Sequence, residues 1–222
     1  MTAPTSRETT SRVSQYFGDA GPFSYQKVRK LTPVLLSGAI DYGIATAGIQ
    51  KIRFDLARNQ NLDVAKLVSE CDHFRGKDFY ALSRIFYTID RQFSVSMRPE
   101  TVVSIDGVPN LIFLQPRKNP TPWAYNPRFL RRILDEAYIP DYYETARYWL
   151  VDTEADEHGN RHLKLVDLQA VTPMDDREFN RRIASLRGAW RLHLARRPKS
   201  PRKPGKPDDR QQDLGFGDPE EK

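Results

Sequence analysis

A block of helical patterning, a block of β-branched runs and a long basic helix follow one another along this chain, and this order predicts an α+β (or α/β) domain. Three observations carry the prediction. Phe79, Leu82, Phe86, Ile89 and Phe93 recur at three and four residues, the spacing of one helix face. The period then falls to two: Phe93-Ser94-Val95-Ser96-Met97 alternates, Thr101-Val102-Val103-Ser104-Ile105 is β-branched, and Leu111-Ile112-Phe113-Leu114 is continuous and apolar. Phe179, Ile183, Leu186, Trp190 and Leu194 finally restore helical spacing among arginines.

Taken in order, residues 1–20 read as a flexible leader rich in Thr and Ser. Ser24 predicts the N-cap of a helix through Lys30 that is interrupted or bent near Pro33. Ser37 to Ala57 predicts a helix weakened by Gly38, Gly43 and Gly48, and Asn61-Leu62-Asp63 starts a short one ending near Cys71. The apolar stripe predicts the strongest helix, Lys77 to Phe93, with Asp90 at its edge. Three strands follow, Asp106-Gly107 turning the second into the third, and the third is expected to be central. Asn126-Pro127 supplies an N-cap and a first-turn proline to a helix carrying Phe129, Leu130, Ile133 and Leu134. Arg147 to Thr153 and Arg161 to Leu168 predict a hairpin, and Thr172-Pro173 with Asp175 and Asp176 opens the last helix.

Hydrophobic residues are 39% of the 222, enough for one sizeable core. The expected organisation is a leader over 1–20, one α/β domain over 21–195, and a disordered basic, Pro-rich tail over 196–222. No apolar run reaches membrane-spanning length and the N-terminus carries no signal-like apolar core, so a cytoplasmic protein without membrane contact is expected. Cys71, the single cysteine, excludes an internal disulfide.

Net charge is +6, and it is local. Between Arg181 and Pro207 stand ten Lys or Arg and no acid, so the remainder is net negative. A concentrated cationic strip attracts a phosphate backbone, which makes Arg181, Arg187, Arg191, Arg196 and Arg197 candidate contacts for DNA or RNA. A solvated helix face is the plainer alternative. In the loop after the third strand, Arg117 and Lys118 suit phosphate while Trp123 and Tyr125 suit base stacking, unless these aromatics only cover the core. Tyr138, Tyr142, Tyr143 and Tyr148 read first as core-edge packing and second as an interface.

The tail sets Leu214 and Phe216 in a segment too polar to fold around them. Gln211-Gln212-Asp213-Leu214-Gly215-Phe216 resembles the short peptide by which bacterial DNA polymerases and repair proteins bind the sliding clamp. The resemblance implies a polar anchor in Gln211 and pocket-filling side chains in Leu214 and Phe216, with a sliding clamp or another protein as partner. Gln212 stands where that pattern usually has Leu.

Helix, three strands, helix and strand over Lys77 to Leu168 resemble a degenerate PD-(D/E)XK nuclease-like core. The resemblance implies a divalent metal held by an Asp at a strand end and an acid-x-Lys on the next strand. Asp106 takes the first position, and Gln115-Pro116-Arg117-Lys118 falls at the second with a neutral Gln115 and with Lys118 one residue out of register. Asp106, Gln115 and Lys118 are therefore the candidate catalytic residues, with Mg²⁺ needed only on this reading and no cofactor otherwise. Cys71-x-His73 and His158-x-x-x-His162 do not make a zinc spacing, Asp152-x-Glu154-x-Asp156-Glu157 lacks an EF-hand glycine, and no phosphate-binding glycine loop or nucleophile elbow occurs. The expected function is a non-catalytic nucleic-acid-associated accessory protein in DNA replication or repair; a metal-dependent nuclease and a protein-interaction or regulatory module are the alternatives.

Overall fold

The computed structural model describes residues 25–82, 85–90, 93–97, 99–118, 126–138 and 145–196. Helix α1 (Gln26–Leu36) buries Val28, Thr32, Leu35 and Leu36. Pro33 lies inside it and does not end it. The proline forfeits one backbone bond, and burial of Leu35 and Leu36 just beyond it offsets the loss. Gly38, at φ 75°, leaves the helical region, so the helix expected over 37–57 begins only at Tyr42, and it stops at Ile49 before a new helix starts at Asp55. Asp41 then caps α2 (Tyr42–Ile49), its carboxylate accepting from Ile44 N at 2.8 Å.

Helix α3 (Asp55–Ser69) starts earlier than expected from Asn61. Asn61 is an interior residue of α3. Its side chain accepts from Val28 N at 3.2 Å and donates to Ala57 O at 2.8 Å, which satisfies a free amide in the first turn of α1 and ties the two helices together.

The helix expected over Lys77 to Phe93 does not form. Strands β1 (Phe79–Tyr80) and β2 (Ile85–Asp90) occupy that stretch, and β3 (Phe93–Met97) follows as the first of the three expected strands. Its Ile, Phe, Tyr and Thr content favours a pleated surface, and tertiary partners decide between the two periods. β1 docks on the sheet, where Thr101 Oγ1 donates to Tyr80 O at 3.1 Å, and Tyr87 of β2 packs on Phe179 with ring centroids 6.4 Å apart. Asp90 consequently lies at the end of β2, where the β2–β3 register shifts, and not on a helix edge.

The remaining elements follow the expected order: β4 (Thr101–Ile105), β5 (Val108–Gln115), α4 (Pro127–Tyr138), β6 (Arg147–Asp152), β7 (Lys164–Asp167) and α5 (Asp176–Arg196). Asn126 Oδ1 caps α4 through the amides of Arg128 and Phe129, at 3.0 and 3.3 Å. Asp175 caps α5 through Glu178 N at 2.8 Å. The sheet order is β1-β4-β5-β6-β7, with β5 and β6 parallel, the other pairs antiparallel, and β2–β3 a separate hairpin. A parallel pair needs a crossover, which α4 supplies. β5 is central, as its unbroken apolar run requires.

Alternation along the strands builds two cores. Val102, Leu111, Phe113, Tyr148 and Leu150 face α4 and α5 through Phe129, Ile133, Leu134, Phe179 and Ile183. Val103, Ile112, Leu114 and Val151 face α1, α2 and α3 through Leu36, Ile49, Val64 and Val68. The α4 and α5 termini are joined by Arg128 to Glu178 at 3.1 Å and Arg132 to Asp176 at 2.8 Å. No helix among the described residues is long and apolar enough to cross a membrane.

Leu111 and Ile112 are neighbours that point to opposite cores, and both have zero exposure. Leu111→Ala and Ile112→Ala should each cost about 2–5 kcal/mol in urea unfolding. A sheet with one wet face would show a large loss at only one of the two.

Candidate nucleic-acid interface

Helix α5 carries its charge on a surface the core leaves free. Phe179, Ile183, Leu186 and Ala189 are buried, while Arg177, Arg181 and Arg191 are exposed. At 3.6 residues per turn the three arginines fall within about 80° of arc and about 21 Å of axis. Ala184, Gly188 and Ala195 share that arc, so little side-chain bulk stands between the guanidinium groups and an approaching surface. None of the three makes an ion pair among the described residues.

Arg177 is absent from the sequence-based set because Asp176 and Glu178 flank it and cancel it in any count of charge. The structure assigns those acids elsewhere: Asp176 to Arg132, and Glu178 to Arg128 at 3.1 Å and to Arg182 at 3.2 Å. The spacing of four to Arg181 was the available signal. Arg187, expected among the phosphate contacts, is half-buried on the flank of the helix, beside Leu186. Arg196 is the last residue of α5. Arg197, Trp123, Tyr125, Tyr142, Tyr143, Gln211, Leu214 and Phe216 lie outside the described residues.

The nuclease-like set is not brought together. Asp106, at φ 52°, and Gly107, at φ 79°, form the two-residue turn entering β5, and Asp106 is exposed. Gln115 ends the same eight-residue strand, so about 23 Å separates the two positions, far beyond the span of one ion. Lys118 is exposed beyond that end.

Gln115 is instead a buried clamp between the carboxyl ends of β5 and β6. Its Nε2 donates to Asp152 Oδ1 at 2.9 Å and to Arg117 O at 3.0 Å, its Oε1 accepts from Arg117 N, and its own carbonyl accepts from Thr153 Oγ1 at 2.9 Å. Burial pushes the Asp152 carboxyl above the usual value of 3.8, against the opposing pull of Glu154 N, Gln115 and Lys164. Glu154 is raised as well, first by burial and then by Asp152. Glu100, at the same edge, is held by Arg29, which also donates to Leu114 O at 3.2 Å.

No group of three or more His, Cys, Asp and Glu is placed to hold a metal ion among the described residues. His73 packs on Trp149 with ring centroids 4.7 Å apart and the planes tilted by 52°, and His162 bonds Asp156 Oδ2 at 2.9 Å, which holds the Asp156 carboxyl below its usual value. Tyr148 is a core residue under the Arg131 guanidinium at 5.8 Å, and burial pushes its hydroxyl up to about 12.

Because Asp152 is raised in the folded state, its ionisation removes stability as pH rises from 3.8 through the higher folded value. Asp152→Asn keeps the acceptor for Gln115 and Glu154 N and should raise Tm at pH 7, with the gain vanishing below pH 3.8. A fall in Tm at pH 7 contradicts this account.

Comparison with protein families, with curated proteins and with solved structures finds no significant match to this chain.

Proposed function

We propose that the protein is a nucleic-acid-associated accessory protein that contacts phosphate through the outward face of α5 and does not cut the strand. The observation that carries this reading is the row of Arg177, Arg181 and Arg191, exposed on one face and without a carboxylate partner among the described residues. Guanidinium groups suit phosphate oxygens because their donors lie in a planar fork. Release of counterions from the backbone favours such contact regardless of base sequence. Arg117 and Lys118, at the far end of β5, are a second cationic pair on the same reading. The tail segment with Gln211, Leu214 and Phe216 recruits a sliding clamp, which places the protein in replication or repair.

Of the nuclease-like order expected over Lys77 to Leu168, the sheet keeps β4, β5, α4 and β6, while the first helix does not form and Phe93–Met97 pairs with β2 outside the sheet. The acids at the β5 carboxyl edge are committed to Arg29 and Gln115, which suits a retained scaffold better than a cation site.

Replacing Arg177, Arg181 and Arg191 together by Gln should weaken binding to duplexes of any sequence and reduce the log–log salt slope by about 2 to 3. Arg187→Gln alone should leave that slope nearly unchanged. An unaltered slope in the triple variant removes α5 from the interface. A peptide of residues 207–222 should bind a bacterial sliding clamp, and the same peptide with Leu214→Ala and Phe216→Ala should not; failure of both the peptide and the full chain removes the clamp from the proposal.

A further inference from the structure

Arg161 is a half-buried cation surrounded by neutral acceptors. Its Nη1 donates to Pro116 O at 3.1 Å and Thr153 O at 2.7 Å, and its Nη2 donates to Tyr25 Oη at 3.2 Å and to Gln60 Oε1. No carboxylate pairs with it among the described residues, and its Nε is buried without a hydrogen-bond partner. A partly desolvated charge with no counter-charge is costly, so the site favours an anion.

A cleft of about 380 Å³ opens beside it. One wall is the face of α3 that carries Asp63, Lys66, Leu67 and Glu70; the other is the β6–β7 hairpin tip with Gly159, Asn160 and Arg161, and Lys118 closes the end. Gly159, at φ 84°, lets the chain turn here, and the Lys118 amine lies 3.5 Å from where a Cβ at this position would stand. Lys66 and Lys118 are exposed and make no ion pair among the described residues. The cleft sits outside the carboxyl ends of the parallel strands β5 and β6, where open α/β sheets take their ligands.

We propose that this cleft binds a phosphate monoester of a hydroxylated molecule, of the size of a nucleoside monophosphate. Three cations from three separate segments line this one cleft, Lys66 on the α3 wall, Arg161 on the hairpin wall and Lys118 at the end, which suits a dianion with several oxygens better than a single carboxylate. Asp63 and Glu70, two turns apart on the α3 wall, accept from hydroxyl groups and disfavour a ligand that is anionic throughout. The volume lies within the ordinary range for small-molecule sites. A free nucleotide and the 5′ end of a nucleic-acid strand share this chemistry. The cleft is independent of the α5 face.

Calorimetric titration of the full chain with inorganic phosphate, AMP and adenosine tests the site. AMP should bind about tenfold more tightly than phosphate, and adenosine should not bind measurably. Lys118→Gln and Lys66→Gln change exposed side chains and should each weaken AMP about tenfold, while the triple α5 variant leaves AMP affinity unchanged. Arg161→Lys should weaken AMP further, and Lys118→Gln keeps the test valid if that variant fails to fold. A 5′-phosphorylated oligonucleotide is compared with its 5′-hydroxyl twin. AMP binding that needs Lys118 assigns the site to a free nucleotide. Affinity gained from the 5′-phosphate and lost with Lys118→Gln, without AMP binding, assigns it to a strand end. Absence of both at about 10 mM ligand, or binding indifferent to Lys118 and Lys66, overturns the proposal.

Discussion

From Asn110 to Gln115 strand β5 is buried on both faces, and the rest of the molecule is arranged to permit this. Leu111 and Phe113 need one layer of helices, Ile112 and Leu114 need another, and the two layers are drawn from opposite ends of the chain. A strand buried on both sides also needs every polar group near it satisfied. Asn110 accepts from Trp149 Nε1 at 2.8 Å and donates to Val108 O at 2.8 Å, while Gln115 performs the same service at the other end with Asp152 and Arg117. These two amides fasten β5 to β6 at both ends of their parallel pairing. Gln115 is thus explained by the sheet it closes.

The distribution of charge follows from the same layering. Where helices approach each other or the sheet edge, cations are matched: Arg128 and Arg182 to Glu178, Arg132 to Asp176 and Glu136, Arg131 to Asp135, Arg29 to Glu100. Such pairs are only modestly stabilising where solvent reaches them, but they consume the acids of this region. Among the described residues, the arginines on the outer face of α5 are left without a carboxylate partner. Arg161 is the opposite case, a cation held by neutral oxygens at the open end of the sheet. The α5 arginines and Arg161 thus stand in different settings, the first along an exposed helix face and the second half-buried beside a cleft.

Turns, caps and strands with a single local signal were legible in the sequence. Asp106-Gly107 reads as a two-residue turn because both positions take positive φ, and Asn126-Pro127 and the acids before α5 read as helix starts because side-chain oxygens there meet free amides. The stretch from Lys77 to Phe93 misleads because aromatic residues three and four apart satisfy a helix face while the same residues carry strong strand preference. Only docking of β1 on β4 and of Tyr87 on Phe179 separates the two outcomes. Among the candidate contacts, Arg181 and Arg191 are exposed as their charge spacing suggests, whereas Arg177 is flanked by acids that pair with Arg132, Arg128 and Arg182, and Arg187 is half-buried on the flank of the helix. Arg161 carried no local signal at all, since its partners come from residues 25, 60, 116 and 153.

Alternation, capping and charge runs act over a few residues, so the sequence by itself determined the class of the fold, the central position of β5, the turn at Asp106-Gly107 and the basic character of the last helix. Tertiary structure alone decided which cations are neutralised, which end of β5 each candidate residue occupies, and that segments far apart in the chain meet at the cleft beside Arg161. Those outcomes depend on which carboxylate or carbonyl lies within a few ångströms in space, a distance that chain order does not encode.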